Sequence, residues 1–197
     1  IVAAGIFEEL DYRNEAANAA EYRASLEFLG YVSVPDTVDE LPPTPRVIVT
    51  EWVAGRHLAD LTTDEGRLLV EMAVDSVTAS LVLTGYVHAD PHEGNLMLGD
   101  DGRLYFLDFG LMSRVEPDIM EAFALGIQAV ASRDYVGLVR AFVATQFVLD
   151  PVERRDSVSS DWYEASEEAM AAELERIMES VAGGTSRFGA LASVLID

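Results

Sequence analysis

A short hairpin bracketed by polar residues constrains this chain most. Leu96-Met-Leu, a Gly99-Asp-Asp-Gly102 turn and Leu104-Tyr-Phe-Leu107 read as two apolar β-arms joined by a tight turn. Antiparallel arms of similar length bring their outer ends together, so Asn95 and Asp108 are predicted to lie side by side. Asp90 lies just upstream on the same loop, in His88-Ala-Asp-Pro-His-Glu-Gly-Asn95. Two carboxylates and an amide oxygen brought close in this way suit Mg²⁺, which prefers hard oxygen ligands, and with it a phosphate group.

Composition narrows the classes. A chain of 197 residues, 50% hydrophobic, has enough apolar material for one domain, or for one and part of another. The net charge of −22 argues against a nucleic-acid partner and disfavours docking on anionic lipid; its ordinary meaning is solubility. With no Cys there are no disulfides or thiolate metal sites, and His57, His88 and His92 are badly spaced for a zinc helix. No signal-peptide pattern opens the chain, and no run of 18 apolar residues marks a membrane span. All 13 basic residues are Arg, so any chemistry that needs a lysine must draw it from elsewhere. The chain opens at Ile1 and stops at Asp197 after an apolar run over 191–196, and is read as a piece of a longer protein.

Residues 6–29 are predicted to form one Ala-rich helix ended by Gly30. Glu8, Asp11, Tyr12, Glu15, Asn18 and Tyr22 fall at helical spacing on one face, which Tyr12, Asn18 and Tyr22 mark as a contact surface. The alanines at 16, 17, 19 and 20 would let another backbone approach. Short strands are expected at 31–34 and 46–53, the latter a buried β-branched strand between Pro45 and Gly55. Thr62-x-x-Glu65 is a capping box opening a helix whose stripe is Leu69, Met72, Ala73, Val77 and Leu81, with Gly85 as its stop. Further helices are expected at 117–132, 134–148 and 161–182, the last acidic at its start (Asp161, Glu164, Glu167, Glu168) and closed by Gly183-Gly184.

His88-x-Asp90-x-x-x-x-Asn95 followed by Asp108-Phe-Gly110 has the form of a kinase catalytic loop with its metal-binding Asp. Asp90 would orient the attacking hydroxyl or water. Asn95 and Asp108 would hold Mg²⁺ against the phosphates, and His88 would brace the loop; His92 has no role that follows from the pattern. Only residues 111–115 separate Gly110 from the helix start at Glu116-Pro117. Protein kinases place there a longer segment on which a peptide lies, so proteins are not the expected substrate.

The chain resembles the ABC1/UbiB/ADCK family of atypical kinases. The resemblance is carried by Glu9-Leu-Asp-Tyr-Arg-Asn-Glu-Ala-Ala-Asn18, Val49-Thr-Glu-Trp-Val-Ala-Gly55, the His88–Asn95 loop and Leu107-Asp-Phe-Gly110. It implies an α+β, protein-kinase-like fold: a partial N-lobe over 1–53 and a helical C-lobe over 54–197. It implies ATP and Mg²⁺ as cofactors, ATP hydrolysis or phosphoryl transfer, and partners in isoprenoid lipid and quinone biosynthesis. The expected location is the cytoplasm, peripheral to the inner face of the cell membrane, with any anchoring outside these residues. By motif, Glu9 and Asp11 neighbour the nucleotide pocket, and Glu15 is the helix glutamate that pairs with the nucleotide-binding lysine. Glu51 and Val53 belong to the hinge that holds adenine through backbone groups. The family's Lys-x-Gly-Gln extension, Ala-rich phosphate loop and lysine do not occur here, so Glu15 is expected to lack its partner and these residues alone to bind ATP poorly. Two other readings stand beside this one: a small-molecule phosphotransferase like aminoglycoside or choline kinases, and a nucleotide-binding pseudokinase scaffold.

Overall fold

The computed structural model describes residues 11–148, 153–155, 162–164 and 166–180. Packing divides the chain into two compact units, Ile1–Glu116 and Pro117–Asp197. The expected lobe boundary at 53/54 falls inside the first.

In the first unit, α1 (Tyr12–Ser25) starts at Asp11, whose carboxylate accepts the Arg13 N–H as an N-cap. A 3₁₀ turn, Glu27–Leu29, and Gly30 finish it. Then come β1 (Val32–Ser33), β2 (Gly55–His57), α2 (Thr63–Ala79) and β3 (Tyr86–His88). The unit closes with β4 (Leu96–Gly99), β5 (Leu104–Phe106) and β6 (Met112–Arg114). The predicted hairpin is present: β4 pairs antiparallel with β5 in the register Leu96↔Phe106, Met97↔Tyr105, Leu98↔Leu104. With β1 parallel to β5 and β2 antiparallel to β4, it forms the centre of a four-stranded sheet, order β1-β5-β4-β2. Leu96, Leu98, Leu104 and Phe106 are buried against Tyr22, Leu26, Leu69 and Phe109. Fully burying each large apolar side chain contributes about 1.5–3 kcal/mol.

α2 carries its capping box as expected: Thr62 Oγ1 accepts the Glu65 N–H, and the Glu65 carboxylate accepts the Thr62 N–H at 3.0 Å. Leu69, Met72 and Ala73 are buried. A π turn at Ser80–Thr84 extends it, and Gly85 then takes φ 68°, a left-handed geometry that favours glycine, to turn the chain into β3.

The expected buried strand at 46–53 is not formed. A bridge from Thr50 to Thr37, with the Val38 N–H to Val49 O (3.0 Å) and Glu51 N–H to Asp36 O (2.9 Å) bonds, ties it to a short stretch of chain. Val47 is 55% exposed and Trp52 93%. β-branched residues favour a strand by packing on a sheet face, and the 36–38 stretch offers too little surface to cover these side chains.

In the second unit, α3 (Pro117–Ser132) meets the predicted bounds, and α4 (Tyr135–Ala144) is shorter than expected. Asp134 caps α4 by accepting the Gly137 N–H at 2.9 Å. β7 (Glu153–Arg155) pairs antiparallel with β8 (Trp162–Glu164). The last helix, α5 (Glu167–Ser180), therefore starts later than predicted, because 162–164 are taken into a ladder; Glu167 and Glu168 occupy its first turn. Asp161 and the Gly183-Gly184 stop lie outside the described residues. α4 and α5 share a core of Leu138, Val139, Met170, Ala171 and Leu174, and Arg140 Nε reaches Glu167 Oε2 at 2.8 Å. Among the described residues no helix is long and apolar enough to cross a membrane.

Candidate active site

The hairpin delivers its flanking residues together. The Leu107 N–H donates to the Asn95 carbonyl at 3.0 Å, so Asn95 and the residue before Asp108 are directly paired. A 3₁₀ turn, Glu93–Asn95, leads into β4; His92 caps it by accepting the Gly94 N–H on Nδ1 at 3.1 Å. Asn95 Nδ2 reaches the Asp90 carbonyl at 3.4 Å. This long bond turns the amide nitrogen toward the loop and leaves Oδ1 as the group able to face a cation. The Asp90 and His92 side chains are exposed, 60% and 54%, with Asp90 Oδ2 3.9 Å from His92 Nε2.

His88 joins the loop to the Asp-Phe-Gly turn. Its Nδ1 accepts the Asp90 N–H at 3.2 Å, so Nε2 carries the proton and donates to the Asp108 carbonyl at 2.6 Å. His88 is 3% exposed, and burial lowers its pKa, favouring the neutral ring, while the two hydrogen bonds select this tautomer. It packs among Tyr22, Phe106 and Phe109, ring centroids 5.7–6.0 Å away. Downstream, the Ala89 N–H bonds to Leu111 O at 3.0 Å and the Val115 N–H to Gly85 O at 2.8 Å. These bonds flank β6, which pairs with β3 in the register Tyr86↔Arg114 to His88↔Met112. The segment after Gly110 is thus consumed in a ladder up to Val115, two residues before α3.

α1 supplies the opposite wall. Glu15 on α1 has its pKa raised, first by burial and then by the Asp108 charge, with the nearby Phe109 N–H offsetting part of that rise. The sequence holds no lysine to pair with it. A cavity of about 160 Å³ lies between α1 and the chain around Thr50, lined among others by Glu15, Ala19, Val34, Thr50, Leu107 and Phe109. The small side chains of Ala16, Ala19 and Ala20 leave this space open rather than admitting a second backbone.

The other predicted residues are placed differently. Asp11 caps α1 and pairs with Arg13 at 2.5 Å, which lowers its pKa, and it does not line the cavity. Glu51 bonds Asp36, accepting its N–H at 3.2 Å; neither Glu51 nor the half-buried Val53 lines the cavity, although Thr50 beside them does. Glu9 lies outside the described residues. Two contributors had no assigned role: Asn18, whose Nδ2 donates to Phe109 O at 3.0 Å, and Tyr86, whose hydroxyl donates to Asn18 Oδ1 at 3.0 Å. The one sequence signal for them was the position of Asn18 on the α1 stripe with Tyr22.

Residues 2–142 match the model of the ABC1 atypical kinase-like domain. The chain belongs to that family. This ABC1 domain is 32% identical over 169 residues to an aarF domain-containing protein kinase of Arabidopsis thaliana, covering 86% of the chain and 24% of the relative. To the ACTIVITY OF BC1 COMPLEX KINASE 8 protein of the same plant it is 35% identical, over 72% of the chain and 19% of the relative. It therefore spans about a quarter or less of the length of these relatives. A Mycobacterium tuberculosis protein solved in complex with erythromycin superposes with a TM-score of 0.52 at 27% identity, over 77% of this chain and 38% of that one. The fold is α+β and protein-kinase-like, as the motif order implied.

Proposed function

We propose that the protein carrying this ABC1 domain binds ATP with Mg²⁺ and transfers or hydrolyses the γ-phosphoryl group, with a small molecule or water as acceptor. The observation that carries this reading is the pairing of Asn95 with the chain beside Asp108, across the hairpin from a loop that presents Asp90.

The donor set fits Mg²⁺. Asn95 Oδ1 and the Asp108 carboxylate are hard oxygens, and Mg²⁺ takes one or two protein carboxylates and fills its shell with water and phosphate oxygens. Among the described residues no three His, Cys, Asp or Glu side chains converge as a cation cage, and none is needed for Mg²⁺ held in this way. When bound there, the ion would neutralise charge on the leaving phosphate. The residues of the chain do the rest. Asp90, exposed at the loop, orients the attacking hydroxyl. His88 holds the Asp108 carbonyl, so the loop and the turn move as one piece. The cavity beside Thr50, next to the hinge residues that the family resemblance assigns to adenine, is the space this reading gives to the base.

The acceptor side follows from the ladder. With the segment after Gly110 paired up to Val115, there is no free stretch for a peptide to lie on, which supports a non-protein substrate. The mycobacterial neighbour's complex with a small molecule supports the same view. The family resemblance implies a role beside isoprenoid lipid or quinone biosynthesis, peripheral to the inner face of a membrane, without naming the acceptor.

The experiment uses the full-length protein. Asp108→Asn should abolish Mg²⁺-dependent nucleotide binding, whereas Asp90→Asn should keep binding and lower turnover by about 100-fold or more, as general acid–base contributions of roughly 10²–10⁴-fold imply. Equal turnover in wild type and Asp108→Asn would refute the reading. Tight nucleotide binding with no turnover in wild type would favour the pseudokinase scaffold. Stoichiometric phosphate transfer to a protein would refute the assignment of the acceptor.

A further inference from the structure

The two peptide units that flank Phe109 are both held by side chains. In the unit joining Asp108 to Phe109, the carbonyl accepts from His88 Nε2 at 2.6 Å. In the unit joining Phe109 to Gly110, the carbonyl accepts from Asn18 Nδ2 at 3.0 Å, and the N–H is donated to Asp108 Oδ1 at 2.9 Å. Asn18 cannot flip its amide without loss, because Oδ1 accepts the Tyr86 hydroxyl at 3.0 Å. Tyr86 is itself fixed: it is 5% exposed, and the Arg114 guanidinium stacks 4.7 Å from its ring centroid.

From this geometry we infer that Asn18 is a positioning residue for Asp108, setting the rotamer of that carboxylate through a single peptide plane. The inference rests on Asp108 being the metal ligand of the proposed function. A peptide unit is planar, so holding its oxygen aims its N–H. A carbonyl that accepts a hydrogen bond also polarises the unit, so the N–H on the other side donates more strongly. Without Asn18 the plane turns freely about Gly110, which has no side chain to resist rotation, and Asp108 loses the donor that orients it. Groups that orient metal ligands in this way typically change metal affinity or activity about 10–100-fold when removed.

The test compares Asn18→Ala, Tyr86→Phe and Glu71→Gln in the full-length protein. Glu71 is a control on α2, an exposed residue 3.9 Å from Arg67. In Asn18→Ala, the Mg²⁺ concentration for half-maximal ATP turnover should rise about ten-fold or more, with the KM for nucleotide nearly unchanged. Tyr86→Phe should shift it in the same direction by less, and Glu71→Gln should match wild type. A Mg²⁺ requirement unchanged in Asn18→Ala overturns the inference, as does a loss of kcat alone. A second readout needs no nucleotide: amide hydrogen exchange at Gly110 should quicken in Asn18→Ala while α1 and β3 keep their protection. Unchanged exchange at Gly110, or a uniform rise through the first unit, also overturns it. If the wild type shows no Mg²⁺-dependent turnover, the proposed function fails, and exchange at Gly110 alone decides whether Asn18 holds the turn.

Discussion

His88 illustrates how one residue can serve the site without touching a substrate. It is 3% exposed, neutral through burial, and the donor to the Asp108 carbonyl. Replacing it with Leu keeps apolar bulk but leaves that carbonyl without its donor. The expected cost is about 1–3 kcal/mol, the usual penalty for an orphaned buried acceptor, read as a lower urea midpoint at unchanged m-value. A midpoint equal to wild type would mean that water replaces His88 fully. The bracing role of His88 was legible from the motif. The bond from Asn18 to Phe109 O was not, because those residues are 91 positions apart and meet only when α1 lies against the hairpin.

At the scale of the element, α2 was written most plainly. Thr62→Ala removes the acceptor for the Glu65 N–H, and should cost about 1 kcal/mol, seen as a lower Tm. Glu65 also carries a pH signature. Bonds from Arg56, then from the Thr62 backbone and hydroxyl, hold its pKa down to about 2 from the ordinary 4.5. A carboxyl depressed in the folded state contributes stability that is complete above pH 4.5 and is lost as pH falls toward 2. Glu65→Gln should flatten that acid limb in a Tm-versus-pH series, and an unaltered limb would show that the group is not linked to folding. Caps and apolar stripes are local in sequence, which is why α2 and the β4–β5 hairpin emerged as expected. Residues 46–53 and 162–164 did not, because strand formation depends on which partner stands alongside. The first found only 36–38, and the second found 153–155.

At the scale of the molecule, the site has an acidic side with no lysine to answer it. Burial and then the Asp108 charge raise the pKa of Glu15, and all 13 basic residues are Arg. The cavity beside them, about 160 Å³, is smaller than the roughly 300–1,000 Å³ of most ligand sites. These 197 residues alone should therefore bind ATP at least ten-fold more weakly than the full-length protein, roughly 1.4 kcal/mol or more by titration calorimetry. Equal affinity would show that the lysine and phosphate loop of the family contribute nothing here. The sequence by itself determined the order of motifs, the hairpin that pairs Asn95 with the chain beside Asp108, the capped helix and the missing lysine. All of these follow from residue type and short spacing. Only the tertiary structure decided that Asn18 grips the Phe109 carbonyl, that the segment after Gly110 is bound to β3, and that Asp11 caps a helix instead of facing the cavity. Those outcomes depend on which remote backbone groups burial brings within hydrogen-bond reach, and nothing in local spacing encodes that choice.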